Sequence, residues 1–583
     1  MKGMNNLLLE VNLNEDNDKT KFSKVEIPDS ILLRYLGGRS LGVKYFVERV
    51  HPKTDPFSEK NLLIFGVGPF SATNVPTNGR FSLVTKSPLT GGIFYSNCGG
   101  FFGPNLKRCG YDALIISGKL KKPHYLLLDG DNPILKDASS LWRLDTESCL
   151  NKLKEIEGKN IHTLIIGPAG ENLVKYASIM ADSSRAFGRG GVGAVMGSKN
   201  LKAIVVKNGR KKIEIHDKEW LNKLVHSALL KIKVVPITRS ALPKFGTASL
   251  INVINELGML PIENFQRAYD PKAENISGEA IRNQILIEEE GCFGCTIRCG
   301  RLTKAGNETG KGPEYETDWA LGANLGIFNL EVVAKAGYLC NRLGIDTISC
   351  GGTIACAMEL KQKGILKENE WNGVEFGNEK ILLELIRKIA YREGIGNELA
   401  EGSRRLAEKY NAVDCAIQVK GLEIPAYDPR GAFGHALGYA TSNRGGCHLT
   451  GYMAALEIFA VPKKVERFSS ATKADLLILK QNGKVIEDSL SVCAFAGFAL
   501  GLDFYARFLT AITGEEYTMM KLLKIGNEIY NLEHEFNLKA GFSKNDDTLP
   551  PRFINQPLKE GFSKDKTVPL QVMLQDYYAL RKW

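Results

Sequence analysis

The sequence has no segment suited to cross a membrane and no repetitive tract. No apolar run reaches the roughly 18 residues that a membrane-spanning helix requires. The longest candidate, Val492–Leu502, is interrupted by Gly497 and Gly501 and predicts a buried core helix instead. Low-complexity segments and repeats of solenoid period are also missing. These absences argue against a transmembrane protein and against a repeat protein.

A concentrated arm of basic residues is missing as well. The 583-residue chain has 76 lysines and arginines against 65 aspartates and glutamates, a formal net charge of +11. Because this excess is spread along the chain, we do not expect nucleic-acid binding. A mildly positive surface is better suited to attract an acidic electron-transfer partner. With 44% hydrophobic and 24% charged residues, the composition is typical of a globular protein with several domains.

A secretory signal peptide is not evident, because Met1–Asn6 leads into only a short apolar stretch, Leu7–Leu9. We therefore expect a cytoplasmic protein, in which disulfides are disfavoured. Eight of the twelve cysteines are scattered singly, as is typical of small buried hydrophobic side chains. They are Cys98, Cys109, Cys149, Cys340, Cys350, Cys356, Cys415 and Cys447.

The other four cysteines form a metal-binding pattern. Cys292, Cys295 and Cys299 occur as C-x2-C-x3-C in a glycine-flanked segment, and Cys493 lies far downstream. Three near thiolates and one remote thiolate are the usual ligands of an iron–sulfur cluster. Structural zinc favours two ligand pairs, and the sequence has no second C-x2-C and no histidine soon after Cys299. A redox cluster is predicted, with zinc binding and thiol chemistry as the open alternatives.

The first part of the chain, to Lys207, has short β-type runs between glycines, a pattern typical of strands. The last run leads into the polar segment 207–212, where we place a domain boundary. The predicted strands are Leu62–Val67, Phe81–Thr85, Ala113–Ser117, Tyr125–Leu128, Leu164–Ile166 and Lys202–Val206.

The remainder has the apolar spacing of helices. Helices are predicted at Glu219–Leu230, Glu331–Leu343 and Ile381–Ala390, and again from about Ser489 to Leu532. A second boundary is placed after Gly421. The expected fold is α+β and multidomain: a β-rich domain followed by two mainly helical domains, over residues 1–207, 208–421 and 422–583.

A glycine-rich segment, Gly188–Gly193, matches the dinucleotide-binding pattern G-x-G-x-x-G. That fingerprint requires a strand before it and a helix after it. The mostly polar run 181–187 does not have the character of a buried strand, so a nicotinamide site is disfavoured. Glycines still let backbone N–H groups approach an anionic ligand, and Arg185 or Arg189 can pair with phosphate.

With the cysteines in view, the chain resembles the tungsten-containing aldehyde ferredoxin oxidoreductase family over nearly its whole length. The resemblance is carried by segments that occur in the family's order, and together with the cysteine spacing they are highly specific. They are Thr85–Gly92, Ser96–Pro104, Gly188–Val206, Gly312–Thr317, Gly344–Thr347, Asp428–Gly431 and Asn443–Leu449.

The resemblance implies both a fold and a set of cofactors. One tungsten atom would be held by the dithiolene sulfurs of two pterins (tungstopterin), with no side chain on the metal. The N-terminal sheets would form a base for this bis-pterin cofactor, and the two helical domains would cover it. Cys292, Cys295, Cys299 and Cys493 would ligate a [4Fe-4S] cluster beside one pterin.

The resemblance also assigns residues to the pterins. Arg80 would lie between cluster and pterin, while Asn97, Gly99, Arg185 and Ala186 would meet the pterin phosphates and their bridging Mg2+. The alternative for Arg80 and Arg185 is a solvated surface position. Two matched motifs of the family, D-x-x-G-L followed by Asp or Cys, add five cofactor residues: Gly344, Ile345, Asp346, Asp488 and Val492.

The two pterin motifs depart from the family pattern at several positions. Asn341 replaces an acid, Ser491 replaces a glycine, and Ile345 and Val492 are β-branched where leucine is usual. The first change replaces a charge-assisted contact with a neutral one. These departures indicate a side branch of the family.

The implied reaction oxidises an aldehyde to a carboxylic acid with water and passes two electrons through the cluster to ferredoxin. Glu316 is the expected base, since burial beside a cofactor raises a carboxyl pKa. His448 would polarise the carbonyl oxygen, and Tyr315 would assist orientation. Without the resemblance, Glu316 fits a solvated loop and His448 fits a core histidine.

The family also has a metal that bridges two subunits through E-x-x-H motifs. The comparable segment here, Glu331–Ala334, has no histidine, and the one E-x-x-H, Glu48–His51, lies in the first domain. We therefore expect no bridging metal, and either a monomer or a complex with a separate iron–sulfur subunit. Two other functions stay open: the catalytic subunit of a larger reductase, such as one acting on aromatic thioesters, and an electron-relay module without pterin.

Overall fold

The computed structural model describes residues 1–16, 19–182 and 185–583. The first sheet has six strands: β1 (Leu7–Asp16), β2 (Lys19–Glu26), β3 (Leu63–Gly66), β4 (Phe81–Lys86), β5 (Ile93–Cys98) and β6 (Ala113–Ser117). Their order is β2-β1-β6-β3-β4-β5. β1 and β6 run parallel, and the other neighbouring pairs run antiparallel.

A second six-stranded sheet follows in the chain. Its strands are β7 (His124–Asp129), β8 (Asn132–Asp137), β9 (His162–Ile166), β10 (Ile179–Ala181), β11 (Arg185–Phe187) and β12 (Leu201–Lys207). Their order is β11-β10-β9-β12-β7-β8, with β12 and β7 parallel and the other pairs antiparallel. Every strand predicted from the sequence corresponds to one of these twelve.

The two sheets contact each other through aromatic side chains. The ring of Phe187 on β11 lies 5.8 Å from that of Phe65 on β3 and 4.7 Å from that of Phe81 on β4. The opposite face of the first sheet, which includes Ile64 and Ile115, packs into a core with C-terminal helices. Because this sheet is covered on both faces, its central strands are almost continuously apolar.

The helices lie mainly after the second sheet. Those of the first region are α1 (Asp29–Tyr35), α2 (Gly38–Arg49), α3 (Phe102–Arg108), α4 (Thr146–Glu157), α5 (Pro168–Glu171) and α6 (Val192–Ser198). The next are α7 (Lys218–Val234), α8 (Leu242–Phe245), α9 (Leu250–Glu256), α10 (Gly278–Gln284), α11 (Tyr315–Leu321), α12 (Leu330–Leu343), α13 (Thr347–Gln362), α14 (Glu368–Trp371), α15 (Leu382–Tyr391), α16 (Gly396–Leu399) and α17 (Ser403–Lys409).

The C-terminal helices complete the α+β architecture, and that predicted fold class is confirmed. They are α18 (Phe433–Thr441), α19 (Ala454–Glu457), α20 (Lys473–Leu490), α21 (Leu502–Thr513), α22 (Met519–Ala540), α23 (Pro551–Asn555) and α24 (Leu570–Arg581). A π-helical turn covers Ile237–Ala241. Short 3-10 turns cover Thr247–Ser249, Pro271–Ile276, Ala323–Leu325, Glu379–Ile381, Val413–Cys415, Pro429–Gly431, Ala494–Phe498 and Lys544–Asp546.

Two small antiparallel sheets interrupt the helical part. Their strands are β13 (Leu286–Glu290), β14 (Gly300–Ala305) and β15 (Glu308–Lys311) in one, and β16 (Gln418–Val419) and β17 (Leu422–Glu423) in the other. Glu290 pairs with Gly300, so the cysteine loop is the connection of a β-hairpin. The predicted boundary after Gly421 lies within the β16–β17 hairpin, and the division into three domains stays a proposal.

One detail predicted from the sequence is wrong. Val492–Leu502 is not a core helix, because α20 ends at Leu490, a 3-10 turn follows and α21 begins only at Leu502. The glycine segment Gly188–Gly193 follows β11, a half-buried edge strand antiparallel to β10, which agrees with the expectation that no buried strand precedes it. Among the described residues, no helix is long and apolar enough to cross a membrane.

Candidate active site

Four cysteines from distant parts of the chain line one small cavity. They are Cys292, Cys295, Cys299 and Cys493. The first three come from the β13–β14 connection, and the fourth follows α20. The backbone of Thr77 holds both segments, since its N–H donates to the carbonyl of Gly294 at 2.8 Å and its carbonyl accepts from the N–H of Cys493 at 3.1 Å. The predicted cysteine set is thus brought together.

This cysteine cavity suits a cluster better than a single ion. Among the described residues, no three histidine, cysteine or carboxylate side chains form a group that could hold one metal ion. The four thiols instead surround a space, as the cysteine ligands of an iron–sulfur cluster do. Gly99 borders this space closely, since a Cβ there would lie 2.9 Å from Sγ of Cys292. The arrangement disfavours the zinc alternative.

A larger cavity of about 370 Å³ adjoins the cysteines. Arg80, Arg185, Cys299 and Cys493 line both spaces. Nine of the ten residues predicted to bind the cofactor line it: Arg80, Asn97, Gly99, Arg185, Ala186, Ile345, Asp346, Asp488 and Val492. The tenth, Gly344, is not in the wall; its φ of 72° is in the left-handed region, where it ends α12.

The wall of this larger cavity carries an excess of positive charge. Five of its cations are Arg80, Arg185, Arg189, Arg444 and Lys484. Nη2 of Arg80 lies 3.7 Å from Sγ of Cys493, so this side chain connects the two spaces. The Arg185 side chain is only 18% exposed and pairs with Glu314 at 3.1 Å. Neither arginine is a solvated surface residue, and the cavity suits a ligand with phosphate groups.

The two aspartates of the pterin motifs are held in place by cations. Asp346 caps the N-terminus of α13 and lies 3.6 Å from Nε of Arg189. Asp488, in the last turn of α20, pairs with Lys484 at 2.5 Å and with Arg39 at 3.2 Å. Both side chains are nearly completely buried. Their orientation toward the cavity is therefore set by the protein itself.

Arg444 and Lys484 are cavity residues that the sequence interpretation missed. Arg444 lies within a segment that carries the resemblance, but its sequence context gives no sign that its guanidinium donates to the carbonyl of Tyr95 at 2.6 Å. Lys484 precedes Asp488 by four residues on α20. That spacing places a cation and a carboxylate on one helix face, and it could have identified Lys484 as a neighbour of Asp488 from the sequence.

A second cavity, of about 440 Å³, meets the first at Glu316 and His448. Its wall is largely apolar and includes five aromatic residues besides Tyr315: Tyr427, Tyr452, Phe495, Phe498 and Tyr505. The segment wrongly predicted as a core helix, Val492–Leu502, supplies much of this wall. An apolar space that opens onto a cationic one suits an uncharged organic substrate beside an anionic cofactor.

Glu316 and His448 face each other at this opening. Oε1 of Glu316 lies 3.5 Å from Nε2 of His448, while Oε2 accepts a hydrogen bond from the N–H of Ala426 at 3.1 Å. Oε1 of Glu316 and Nδ1 of His448 are buried without a hydrogen-bond partner among the described residues. Glu316 is therefore no solvated loop residue, and His448 is no satisfied core histidine.

Burial moves the two groups toward their neutral forms. Desolvation raises the pKa of Glu316 to about 8, against the hydrogen bond from Ala426 and the charge of Arg189. Desolvation, with the nearby His435 and Arg189, lowers the pKa of His448 well below its ordinary value. Near neutral pH the pair is a carboxylic acid beside a neutral imidazole, and not a salt bridge.

Tyr315 directly precedes Glu316 in the chain, and its hydroxyl contacts the protein backbone and not the Glu316 carboxyl. It donates to the carbonyl of Ala426 at 2.5 Å. The N–H of the same Ala426 donates to Glu316, so Tyr315 fixes the backbone that orients the carboxyl. The ring of Tyr315 also lies 5.5 Å from that of Tyr427 in the apolar wall.

The chain matches two family models that together span almost all of it. The first, described as aldehyde ferredoxin oxidoreductase, N-terminal domain, matches residues 8–208. The second, described as aldehyde ferredoxin oxidoreductase, domains 2 and 3, matches residues 223–583. The chain belongs to the aldehyde ferredoxin oxidoreductase family. The family predicted from the sequence motifs is thus confirmed.

Several members of the aldehyde ferredoxin oxidoreductase family are similar to the chain along its length. It is 47% identical over 568 residues to the tungsten-containing aldehyde ferredoxin oxidoreductase of Pyrococcus furiosus, covering 96% of this chain and 93% of the relative. The tungsten-containing enzyme of Thermococcus kodakarensis is 45% identical over 584 residues, covering 99% and 95%. Identity to the P. furiosus aliphatic sulfonate oxidoreductase, WOR-like subunit, falls to 30% over 622 residues.

A solved structure shares the fold of this aldehyde ferredoxin oxidoreductase family member. It is the active site complex BamBC of benzoyl coenzyme A reductase with 1,5-dienoyl-CoA. The TM-score is 0.87 at 25% sequence identity, and the match covers all of this chain and 95% of that one. The architecture is therefore shared with a protein whose name states a different reaction.

Proposed function

We propose that the chain is a tungsten-dependent aldehyde oxidoreductase that sends electrons through an iron–sulfur cluster to ferredoxin. The conversion is RCHO + H2O → RCOOH + 2 H+ + 2 e−. The observation that carries the proposal is the Glu316–His448 pair at the opening between a cationic cavity beside four cysteines and an apolar cavity. The names of relatives at 44–47% identity support it.

The cationic cavity would hold the bis-pterin cofactor. Arg80, Asn97, Gly99, Arg185 and Ala186 line its phosphate-binding part in this proposal, together with a Mg2+ between the phosphates. Asp346 and Asp488 would accept hydrogen bonds from the pterin rings, and Gly344, Ile345 and Val492 would shape the adjoining backbone. When bound, the tungsten–pterin group accepts the two electrons of the oxidation, and a [4Fe-4S] cluster on the four cysteines carries them one at a time.

Glu316 is the proposed base that removes a proton from water or from the substrate. A carboxylate whose conjugate acid has a pKa of about 8 holds a proton well near neutral pH, which an ordinary carboxylate does not. His448, neutral in its buried position, donates a hydrogen bond to the aldehyde oxygen. Tyr315 acts as a positioning residue, through the Ala426 backbone that it shares with Glu316.

The apolar cavity would bind the organic part of the aldehyde. Its aromatic and aliphatic side chains would contact the organic group, while Glu316 and His448 supply polar contacts where this cavity meets the cationic one. Ferredoxin, or a separate iron–sulfur subunit, is the proposed electron acceptor. Because such clusters and low-potential carriers react with oxygen, we propose an anaerobic cytoplasm as the setting.

A second candidate is the catalytic subunit of a multi-subunit tungsten reductase that acts on an aromatic thioester. The observation in its favour is the 0.87 TM-score to the benzoyl coenzyme A reductase complex. It would use the same cofactor cavity but would need partner subunits. The higher identity to relatives named aldehyde ferredoxin oxidoreductase favours aldehyde oxidation.

Anaerobic purification followed by metal analysis and an aldehyde panel tests the proposal. We expect one tungsten and about four irons per chain, as one cysteine-held cluster requires, with aldehyde-dependent reduction of a viologen dye. Tungsten and iron without aldehyde activity would favour the partner-dependent reductase. Zinc alone, with no pterin fluorescence after oxidation, would contradict both redox functions.

A further inference from the structure

One side of the cysteine site reaches the protein surface. In the cysteine loop, Gly294, Thr296 and Arg298 are exposed. Beside the loop lies Phe101, which is 41% exposed and whose ring is 6.4 Å from that of Phe293. An external redox partner that contacts this loop would come close to the cluster, and electron transfer needs such an approach.

A basic segment borders this exposed loop. Residues 218–245, which form α7, the π-helical turn and α8, contain six lysines and arginines and a single acid, Glu219. This short segment therefore carries +5 of the chain's net charge of +11, so the positive excess is less evenly spread along the chain than we expected. All six basic side chains belong to exposed residues: Lys218, Lys223, Lys231, Lys233, Arg239 and Lys244.

Contacts on several sides fix this segment against the cysteine site. Arg301, two residues after Cys299, donates to the carbonyls of residues 242 and 243 in α8 at 2.9 and 2.6 Å. Asn222 on α7 accepts from Asn74 at 2.6 Å, in the loop that leads to Thr77. The π-helical turn contacts the 3-10 turn that follows Cys493. The basic segment is thus anchored to both cysteine-bearing parts.

The same surface also presents apolar side chains. On α7, Trp220, Leu230 and Val234 are 37%, 52% and 67% exposed. Of the acidic residues of β13, Glu289 pairs with Arg282 and Glu290 with Lys311, while Glu288 adds one negative charge. A surface with scattered apolar groups among unbalanced cations is suited to a transient partner of opposite charge.

We propose that this basic face, formed by the six cations of 218–245 and Arg298, docks a small iron–sulfur protein that presents acidic residues around its own cluster. The inference rests on the proposed function, in which each aldehyde yields two electrons. Two oxidised carrier molecules take one electron each from the enzyme's cluster and leave reduced. Opposite charge raises the rate of such encounters by about 10- to 1,000-fold at low salt.

Charge reversal on the holoenzyme tests this docking. Lys233→Glu/Arg239→Glu changes the charge of the basic face by four, and Lys380→Glu/Arg387→Glu makes the same change at exposed positions around α15, which packs against α5 and α12. Each enzyme is assayed with an aldehyde and either a purified acidic ferredoxin or propylviologen sulfonate, a dye of zero net charge. Tungsten and iron contents are measured for all three proteins.

We expect the first variant to raise the KM for ferredoxin about tenfold or more at low salt, with dye reduction and metal content unchanged. Wild-type activity with ferredoxin should fall as salt rises, because the Debye length shortens to about 8 Å at 0.15 M. An unchanged KM, or an equal rise in the α15 variant, would overturn the proposed docking face. Wild-type enzyme that reduces neither acceptor would instead contradict the proposed function.

A second measurement tests the docking face independently of the proposed aldehyde oxidation. Reduced ferredoxin is mixed with oxidised enzyme in a stopped-flow instrument, and bleaching of the enzyme's cluster is followed without any aldehyde. The second-order rate constant should fall in Lys233→Glu/Arg239→Glu and stay at the wild-type value in Lys380→Glu/Arg387→Glu. Equal rate constants in all three proteins would reject the basic face whatever the substrate is.

Discussion

Oε1 of Glu316 lies 3.5 Å from Nε2 of His448, at the opening between the two cavities. The carboxyl comes from the first turn of α11 and the imidazole from the loop after α18. Because burial raises the pKa of Glu316 and lowers that of His448, the pair is neutral near pH 7. Either group can exchange a proton with a bound substrate without first breaking an ion pair.

Replacing Glu316 with glutamine removes the proposed base but keeps the side-chain size and the acceptor for the Ala426 N–H. We expect aldehyde oxidation to fall by about 10²- to 10⁴-fold, with tungsten and iron per chain unchanged. Dye-reduction rates normalised to tungsten measure the effect. Glu331→Gln, at an exposed carboxylate that pairs with Lys335, is the matched control and should keep the wild-type rate. A fully active Glu316→Gln enzyme would place the base elsewhere.

The same carboxyl predicts a pH dependence. As the pKa of Glu316 is raised from 4.5 to about 8, the reactive carboxylate increases with pH, and kcat/KM should rise about tenfold per unit until it levels near pH 8. In the unfolded chain this group loses its proton near pH 4.5, so its contribution to stability is full below that pH and is lost as pH rises toward 8. The pH dependence of kcat/KM and of the thermal midpoint, measured for wild type and Glu316→Gln, checks both expectations. A Glu316→Gln enzyme whose kcat/KM still rises with pH in the same way would exclude Glu316 as the base.

Cys493→Ser should remove the cluster, because a hydroxyl is a poor replacement for a thiolate ligand of iron. We expect iron to fall from about four atoms per chain toward zero, with the visible absorption of the cluster lost in parallel. Cys109→Ser is the control, since this buried core thiol donates to the backbone carbonyl of Lys207 at 3.7 Å and does not line the cysteine cavity. Full iron content in Cys493→Ser, or equal loss in both variants, would contradict the assignment of Cys493.

Arg39 forms a buried charge network that joins the first sheet region to the C-terminal helices. Its guanidinium makes two hydrogen bonds of 2.8 Å to Glu533, pairs with Asp488 at 3.2 Å and lies over the ring of Tyr95. Arg39→Met leaves Glu533 buried without its cation and should cost about 3–5 kcal/mol, seen as a lower thermal midpoint. Arg39→Met/Glu533→Gln should recover much of this loss. If the double variant is less stable than the single one, the ion-pair explanation fails.

Ser491 occupies a backbone conformation that favours glycine. Its φ is 66°, and its Oγ accepts a hydrogen bond from the buried N–H of Gly68 at 2.6 Å. Ser491→Ala keeps the strained backbone and leaves this N–H unpaired, so it should lower stability by about 1–3 kcal/mol. Ser491→Gly also relieves about 1 kcal/mol of strain and should be the milder change. Thermal melts in which glycine destabilises more than alanine would reject this explanation.

Local patterns were enough to predict six of the twelve strands in the two large sheets, and the cysteine set. Strands such as β4 and β6 are buried on both faces, so their apolar runs stand out from the surrounding turns. The same cue failed at Val492–Leu502, whose apolar character serves the wall of the 440 Å³ cavity and not a helix. Apolar composition therefore did not distinguish core packing from a partly buried surface that faces a ligand space.

The remaining site residues depend on contacts between distant parts of the chain. Arg444 contacts Tyr95, which is 349 residues away in the sequence, and no local spacing predicts that contact. Tyr315 was predicted as an orienting residue, but its link to Glu316 runs through the backbone of Ala426, about 110 residues away. Catalytic roles for His448 and Glu316 were expected only from the resemblance, and their contact with each other was not predicted. The family motifs indicated which residues belong to the site, and only the folded structure gave the contacts between them.

The contact between Arg80 and Cys493 spans 413 residues of sequence. During protein synthesis the N-terminal sheets can fold before the rest of the chain has left the ribosome. The walls of the 370 Å³ cavity and of the cysteine site stay incomplete until residue 493 has emerged. A metal centre held by these walls would therefore be loaded only after the segments around Arg80 and Cys493 have met, which makes its insertion a late step of folding.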